Sequence, residues 1–249
     1  MAHYYEGFCR LCGAFGKLTF EHVPPKAAFN NHQQLLRTME DHLSKRSYSR
    51  FRKGLGTHSL CERCNTQTGS WYGQAFVSWT RQGFEWLEKV EGEKAIILPY
   101  YIRPLNVLKQ VLVMAIAMSG EKSLDAHRDL RRFLLNPRLR HLPADYRTFV
   151  YFGMRGQLRF AGGMAILDTT GQGSDFIMAE IALPPFGYCI TRPIGDRPSL
   201  ALSKGLYDIG WFSNYAFNEW TQIHLRIPTR ETHFPSPLDY RNLQGEERL

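Results

Sequence analysis

Four cysteines in the first quarter of the chain have the spacing of a metal site. They form two Cys-x-x-Cys pairs, Cys9–Cys12 and Cys61–Cys64, in a chain of 249 residues with five cysteines in all. Two intervening residues let both sulfurs of a pair reach one ion from a tight turn, and Zn²⁺ prefers four such ligands in a tetrahedron. A zinc ion held by four cysteines has no open coordination position, so we expect it to stabilise the fold and do no chemistry. Four free thiols or a redox pair are the alternative interpretation.

A Glu-His pair and an asparagine stand beside these cysteines and suit hydrolytic chemistry. Glu21-His22 lies between the two cysteine pairs, and Asn65 directly follows the last cysteine. A neutral imidazole can take a proton from water near pH 7, and carboxylate and amide oxygens suit Mg²⁺ or Mn²⁺. On a regular strand Glu21 and His22 would point to opposite faces, although a kink before Pro24 would relax this. A zinc that joins both cysteine pairs would also draw His22 and Asn65 towards each other.

The order of these motifs resembles the HNH endonuclease family. Cys-x-x-Cys-Gly, Glu-His-x-x-Pro and Cys-x-x-Cys-Asn match the branch whose ββα-metal core is a treble-clef finger stapled by a four-cysteine zinc, over roughly residues 8–75. The resemblance implies that His22 is the general base and that Glu21 helps to bind a catalytic Mg²⁺ or Mn²⁺. It also implies that Asn65 is a further ligand of that ion, and that Cys9, Cys12, Cys61 and Cys64 hold a structural zinc.

Three positions depart from the family pattern. Glu21 stands where the family usually has aspartate, whose side chain is one methylene shorter. The middle asparagine of the family would fall near Gly56, where the neighbours are Thr57 and His58. We therefore keep His58 as a candidate ligand or substrate contact. The lysine often found after the last cysteine pair is replaced by Thr68-Gly69.

Basic residues in the same region favour a polyanionic partner. The formal net charge of the chain is +8, and lysines and arginines are concentrated between residues 26 and 53. Lys26, Arg50, Arg52 and Lys53 are the predicted phosphate contacts, which would hold a nucleic-acid backbone by charge. A solvated surface without a partner is the alternative interpretation of such a charge run. With the resemblance, these residues predict double-stranded DNA as the partner and leave homo-oligomer formation open.

The elements that must position these residues predict an α+β fold. We expect an N-terminal zinc-stapled treble-clef ββα-metal module in residues 1–95, followed in residues 96–249 by a helical segment and a mostly antiparallel β region. A helix should run from Cys64 towards Val90, and a second from Arg103-Pro104 to Gly120. The third predicted helix spans Ser123 to about Leu135, and the predicted strands are Thr148–Gly153, Gln157–Ile166, Phe176–Ala182, Gly187–Thr191, Ser199–Leu202 and Gln222–Ile227.

The composition predicts a cytoplasmic protein with no membrane partner. The chain opens without the basic and apolar run of a signal peptide, and its longest apolar stretch, Val111 to Met118, is far shorter than the roughly 20 residues that cross a bilayer. Cys189 lies in an apolar segment and is expected to be a small buried residue.

Three hypotheses for the function follow. The first is a metal-dependent HNH-like endonuclease of DNA, for which the resemblance implies a role in defence or in mobile elements. The second is a non-catalytic treble-clef zinc finger that binds nucleic acid, favoured by the missing middle asparagine. The third is an interaction protein in which zinc only stabilises the fold and residues after about 100 carry the function.

Overall fold

The structure is a computed structural model, which describes residues 5–36, 49–90, 95–121, 124–156, 158–166, 175–194 and 205–232. Its N-terminal elements are β1 (Tyr5–Phe8), β2 (Phe15–His22), β3 (Gln34–Leu36), β4 (Ser49–Phe51), β5 (Gly56–Cys61), α1 (Glu62–Thr68) and α2 (Gln74–Val90). They are followed by β6 (Ala95–Ile102), α3 (Pro104–Met118), α4 (Arg128–Leu135), β7 (Arg147–Gly156), β8 (Arg159–Ile166), β9 (Phe176–Leu183), β10 (Phe186–Pro193), β11 (Tyr207–Asp208) and β12 (Thr221–Thr232).

A small antiparallel sheet carries the N-terminal motifs. Its strand order is β1-β2-β5, so β2 pairs on both sides, while β3 and β4 form a separate two-stranded ladder. The pairing of β2 with β5 shifts register between Thr19 and Phe20, because Ser59 on β5 has no partner opposite. The helix α1 begins directly after β5 and lies against the sheet.

The predicted helix from Cys64 towards Val90 is present but interrupted. A π-helical turn, Gly69–Gly73, joins α1 to α2 at the point where two glycines weaken the helical pattern. Beyond the turn, Trp79 is fully buried and its indole Nε1 donates a hydrogen bond to the Tyr188 hydroxyl at 2.8 Å. This helix therefore connects the cysteine region to the C-terminal sheet.

The second predicted helix is confirmed as α3, and it is buried on every side. Pro104 occupies its first turn, where the missing amide proton costs nothing, and the helix ends just before Gly120. Its polar residues have buried partners: the Lys109 ammonium donates to the carbonyl oxygens of Phe133, at 2.9 Å, and Asn136, at 2.7 Å. These bonds join α3 to the C-terminal end of α4.

Within the described residues, the C-terminal sheet has seven strands in the order β6-β12-β7-β10-β9-β8, with β11 also paired to β7. The expected antiparallel pairing holds throughout except between β12 and β7, which are parallel. The third predicted helix is shorter than expected: α4 begins at Arg128, after a 3₁₀ turn at Asp125–His127. Ser123, Gln157 and the predicted strand Ser199–Leu202 lie outside the described residues.

The mixed α+β class is confirmed, and one buried hydrophobic cluster connects its parts. This cluster includes Leu11 and Leu60 near the cysteines, Leu112 of α3, and Ile181 and Leu225 of the C-terminal sheet. The division into residues 1–95 and 96–249 stays a prediction.

Candidate functional site

The four cysteines meet at one point between the small sheet and α1. Cys9 and Cys12 lie in the turn after β1, where the Gly13 amide donates to the Cys9 carbonyl and Gly13 has a φ of +79°, a conformation that favours glycine. Cys61 ends β5, and Cys64 lies in the first turn of α1. All four sulfurs lie within 4.8 Å of one another, and the Cys12 and Cys61 sulfurs are 3.8 Å apart.

These distances fit a single tetrahedral zinc ion. Four Zn–S bonds of about 2.3 Å place neighbouring sulfurs about 3.8 Å apart. The cysteines form no disulfides, and a hydrogen bond from the Cys64 thiol lowers the pKa of Cys9, while the same interaction raises the pKa of Cys64. Proton sharing of this kind favours replacing the protons with a cation. The cluster is therefore compatible with a structural zinc.

Residues at the end of α3 and in α4 contact the turn that carries Cys9 and Cys12. The Arg10 guanidinium donates to the Ser119 carbonyl at 3.0 Å and forms an ion pair with Glu121 at 2.9 Å. The Arg131 Nε donates to the Leu11 carbonyl at 2.7 Å. The metal-binding turn thus contacts the end of α3 and the side of α4.

Glu21 and His22 lie on opposite faces of β2, as strand geometry predicts. The His22 ring contacts that of Phe20 at 4.9 Å between centroids, which places both on one face. Asn65 lies on the other face, because its Nδ2 donates to the Thr19 hydroxyl at 3.0 Å and to the Phe20 carbonyl at 3.3 Å. The structure therefore brings Asn65 to the Glu21 face and leaves His22 at the edge of the opposite face.

A backbone carbonyl holds the His22 ring. Its Nε2 lies 3.2 Å from the carbonyl oxygen of Lys53. A carbonyl only accepts hydrogen bonds, so this contact requires the proton on Nε2 and leaves the lone pair of a neutral ring on Nδ1. His22 is partly exposed, and the lone pair on its Nδ1 can accept a proton.

Asn30, which the sequence analysis missed, fixes the loop that supplies this carbonyl. It is fully buried; its Nδ2 donates to the Pro24 and Leu55 carbonyls at 2.7 Å each, and its Oδ1 accepts from the Leu55 amide at 2.7 Å. Between Lys53 and Leu55, Gly54 has a φ of +95°, and a Cβ there would lie 2.0 Å from the Asn30 carbonyl. No spacing rule marks Asn30, since its partners are distant in sequence.

The position predicted for the missing middle asparagine has no space for a side chain. Gly56 pairs with His22 across the strands, and a Cβ on Gly56 would lie 2.1 Å from the Glu21 carbonyl oxygen. Thr57 pairs with Glu21, so its side chain lies on the Glu21 face. His58 lies on the His22 face and stacks on Tyr5, with ring centroids 3.8 Å apart, and burial lowers its pKa.

Glu21 is a desolvated carboxyl group. It is 8% exposed, and burial raises its pKa to about 7. Within the described ranges it has no hydrogen-bond or ion-pair partner. A divalent cation beside it would restore the charged form, which makes Glu21 suited to ion binding.

Three of the four predicted phosphate contacts lie on or directly after β4. Arg50, Arg52 and Lys53 are exposed on β4 and the following turn, and Lys26 is exposed just after β2. The backbone of Lys53 lies beside His22, because its carbonyl contacts the ring. The rest of the basic stretch, residues 37–48, lies outside the described residues.

Comparison with protein-family models, with curated proteins and with solved structures found no match to this chain. In the described part of the chain, no helix combines the length and the apolar character needed to cross a membrane.

Proposed function

We propose that this protein is a metal-dependent, HNH-like endonuclease that hydrolyses phosphodiester bonds of DNA. In this proposal β2, β5 and α1 form a treble-clef ββα-metal module, stapled by zinc at Cys9, Cys12, Cys61 and Cys64. The observation that carries it is the combination of the four-sulfur cluster with His22, whose Nε2 contacts a fixed carbonyl and whose Nδ1 is left as a proton acceptor.

The reaction needs a base and a site for negative charge. His22 Nδ1 takes a proton from a water molecule whose oxygen attacks phosphorus, and the bond from phosphorus to the leaving oxygen breaks. The leaving oxygen then takes a proton from solvent. The Lys53 carbonyl keeps the His22 ring in one orientation and stabilises the imidazolium that forms.

Glu21 and the Asn65 Oδ1 would hold a catalytic Mg²⁺ or Mn²⁺. Both residues lie on one face of β2, and Asn65 uses its Nδ2 in bonds to the strand, which leaves the amide oxygen as its acceptor atom. When bound, the ion would stabilise charge that develops on the phosphate and the leaving oxygen. Because His22 lies on the opposite face of β2, the proposal requires the phosphate to pass the end of this strand, within reach of both the ion and the base. Two protein ligands leave coordination positions for water and phosphate oxygens.

Four cations would hold the DNA backbone without reading its sequence. Lys26, Arg50, Arg52 and Lys53 are all exposed, and the backbone carbonyl of Lys53 makes the His22 contact. Contacts of this kind neutralise phosphates and do not discriminate between bases. The resemblance adds the proposal that such an enzyme serves defence or a mobile element.

A plasmid assay tests the function. We expect the wild-type protein to nick supercoiled plasmid with Mg²⁺ or Mn²⁺, and His22→Ala to slow cleavage by about 100-fold or more. The matched control is His32→Ala, which removes an exposed histidine between β2 and β3; it should cut at the wild-type rate. Equal cleavage by wild type and His22→Ala would contradict the proposal.

A second candidate function is a zinc finger that binds nucleic acid without cutting it. The lack of space for a side chain at Gly56 favours this second function, since the family's middle asparagine has no counterpart there. This function predicts salt-sensitive binding that His22→Ala leaves unchanged, with no cleavage under any metal. If binding is no stronger than charge alone explains, the protein is instead an interaction module.

A further inference from the structure

One face of the small sheet carries a row of aromatic rings that ends at His22. This aromatic face consists of Tyr5, His58, Phe20 and His22, which come from all three strands. Tyr5 stacks on His58 at 3.8 Å and 18°, His58 contacts Phe20 at 5.2 Å, and Phe20 contacts His22 at 4.9 Å. The row thus leads without a gap from the strand edge to the proposed base.

These rings are open to solvent despite their apolar character. Tyr5 is 54% exposed and Phe20 is 37% exposed. They lie on one face because Tyr5 pairs with Leu18, two residues before Phe20, and Phe20 pairs with His58. The helix α1 lies against the opposite face, where Asn65 contacts Thr19. The aromatic face is therefore a surface suited to a partner.

The charge beside the aromatic face indicates what that partner is. The Lys53 carbonyl contacts His22, and Arg52 and Lys53 are exposed at this end of the row. The whole chain has a formal charge of +8. A second copy of the chain would bring the same cations to the contact, whereas an anionic strand with flat bases complements both the charge and the rings.

We propose that the aromatic face stacks unpaired nucleobases beside the phosphate that is attacked by the water His22 deprotonates, so that the substrate is DNA with unpaired bases at the cleavage site. This inference names the substrate class of the proposed nuclease and rests on that function for the position of the cut. Bases in an intact duplex already stack on each other, and extruding one costs a few kcal/mol. Gapped, branched or single-stranded DNA offers its base faces at no such cost, so it is preferred over fully paired DNA.

Binding of a short single strand tests the inference without any cleavage. The probe is a 12-nucleotide oligothymidylate that carries one 2-aminopurine, in buffer without added Mg²⁺ or Mn²⁺, and the readouts are anisotropy and quenching of the 2-aminopurine fluorescence by stacking. We expect tighter binding than to a blunt duplex of equal length. Tyr5→Ala and Phe20→Ala should each weaken single-strand binding about 5- to 150-fold and reduce the quenching. Tyr5→Phe, which keeps the ring, should restore both.

The matched control is Phe15→Ala on the same strand, β2. Phe15 is 65% exposed but alternates onto the face opposite Phe20, where it contacts Phe8 at 5.1 Å. We expect Phe15→Ala to bind as the wild type does. Equal losses for Phe15→Ala and Phe20→Ala, or equal affinity for duplex and single strand, would overturn the proposal. So would self-association of the wild type that Tyr5→Ala abolishes.

The two proposals fail in different ways. Quenching that depends on Tyr5 and Phe20, without cleavage under any metal, supports the aromatic face as a base-binding surface and rejects the nuclease. Cleavage of intact plasmid that depends on His22, without quenching of the probe, supports the nuclease and rejects base stacking.

Discussion

Glu21 is the residue at which stability and the proposed function oppose each other. Burial without a partner among the described residues raises its pKa to about 7, well above the ordinary value of 4.5. The folded protein therefore retains this proton at pH values where the unfolded chain has released it. Stability from this group is greatest below pH 4.5 and declines as pH rises through 7.

Replacing this carboxyl group should stabilise the protein in the absence of a divalent ion. We expect Glu21→Gln to raise the free energy of unfolding at pH 8 by up to about 3 kcal/mol, and its advantage to grow by about 1 kcal/mol between pH 6 and pH 8. Urea unfolding at both pH values measures this. Added Mg²⁺ should stabilise the wild type only.

The exposed Glu62 provides the control for that comparison. Glu62→Gln should unfold with the same pH dependence as the wild type. If the wild type and Glu21→Gln give parallel stability curves from pH 6 to pH 8, the carboxyl group does not titrate as described.

The cysteine positions could be predicted from the sequence, whereas Asn30 could not. Cys-x-x-Cys spacing encodes the metal geometry locally, since both sulfurs must leave one turn. The Asn30 amide instead binds Leu55, 25 residues away, and only the folded chain brings them together. The lack of space for a side chain at Gly56 is equally non-local, because it is caused by the Glu21 carbonyl on the paired strand β2.

Asn30 should matter for both stability and His22 orientation. Asn30→Ala leaves the Pro24 carbonyl and the Leu55 amide without their bonds, so we expect a loss on the order of 2–3 kcal/mol in urea unfolding. It should also slow plasmid cleavage, because the Lys53 carbonyl loses its support. Asn136→Ala, which removes an exposed amide with one local bond, should cost less than about 1 kcal/mol. Similar losses for both variants would contradict the assigned role.

At the scale of elements, α3 could be predicted from the sequence pattern and β6 could not. Proline in the first turn and a glycine after the end made α3 predictable. β6 was not predicted from the sequence, and Pro99 in the middle of a strand usually argues against one. The structure accommodates Pro99 because, among the strands of the described residues, β6 lies at the edge of its sheet and pairs only with β12. Edge position is a property of the assembled sheet and is absent from the local sequence.

Zinc should hold β2, β5 and α1 together. We expect elemental analysis to find one zinc per chain in the wild type and none in Cys61→Ser. Because structural zinc contributes on the order of 10 kcal/mol in small fingers, a chelator that removes it should unfold the N-terminal elements. Circular dichroism during chelator titration measures the unfolding.

Cys189 is a natural control for the zinc experiment. It is buried in β10, outside the four-sulfur cluster. Cys189→Ala should keep the full zinc content. Zinc loss in Cys189→Ala equal to that in Cys61→Ser, or purified wild-type protein with no zinc, would contradict the assignment.

At the scale of the whole molecule, charge should dominate DNA affinity. The formal charge of +8 and the exposed Arg52 and Lys53 predict that the logarithm of the binding constant falls linearly with that of salt concentration. Arg52→Ala should reduce this slope by about one, as expected when one phosphate contact is removed. A filter-binding series from low to high salt measures it. An unchanged slope would place Arg52 away from the DNA.

The shared core also bears on how this chain can be recombined. The Tyr72 hydroxyl donates to the Leu134 carbonyl, Trp79 donates to Tyr188, and the Trp71 carbonyl accepts from Asn106. The helices that follow the four cysteines therefore pack against residues from later in the chain. A fragment cut near residue 95 would expose these aromatic side chains to water. We therefore expect that the part with the four cysteines is not a portable cassette, and that the two halves must be shuffled or engineered together.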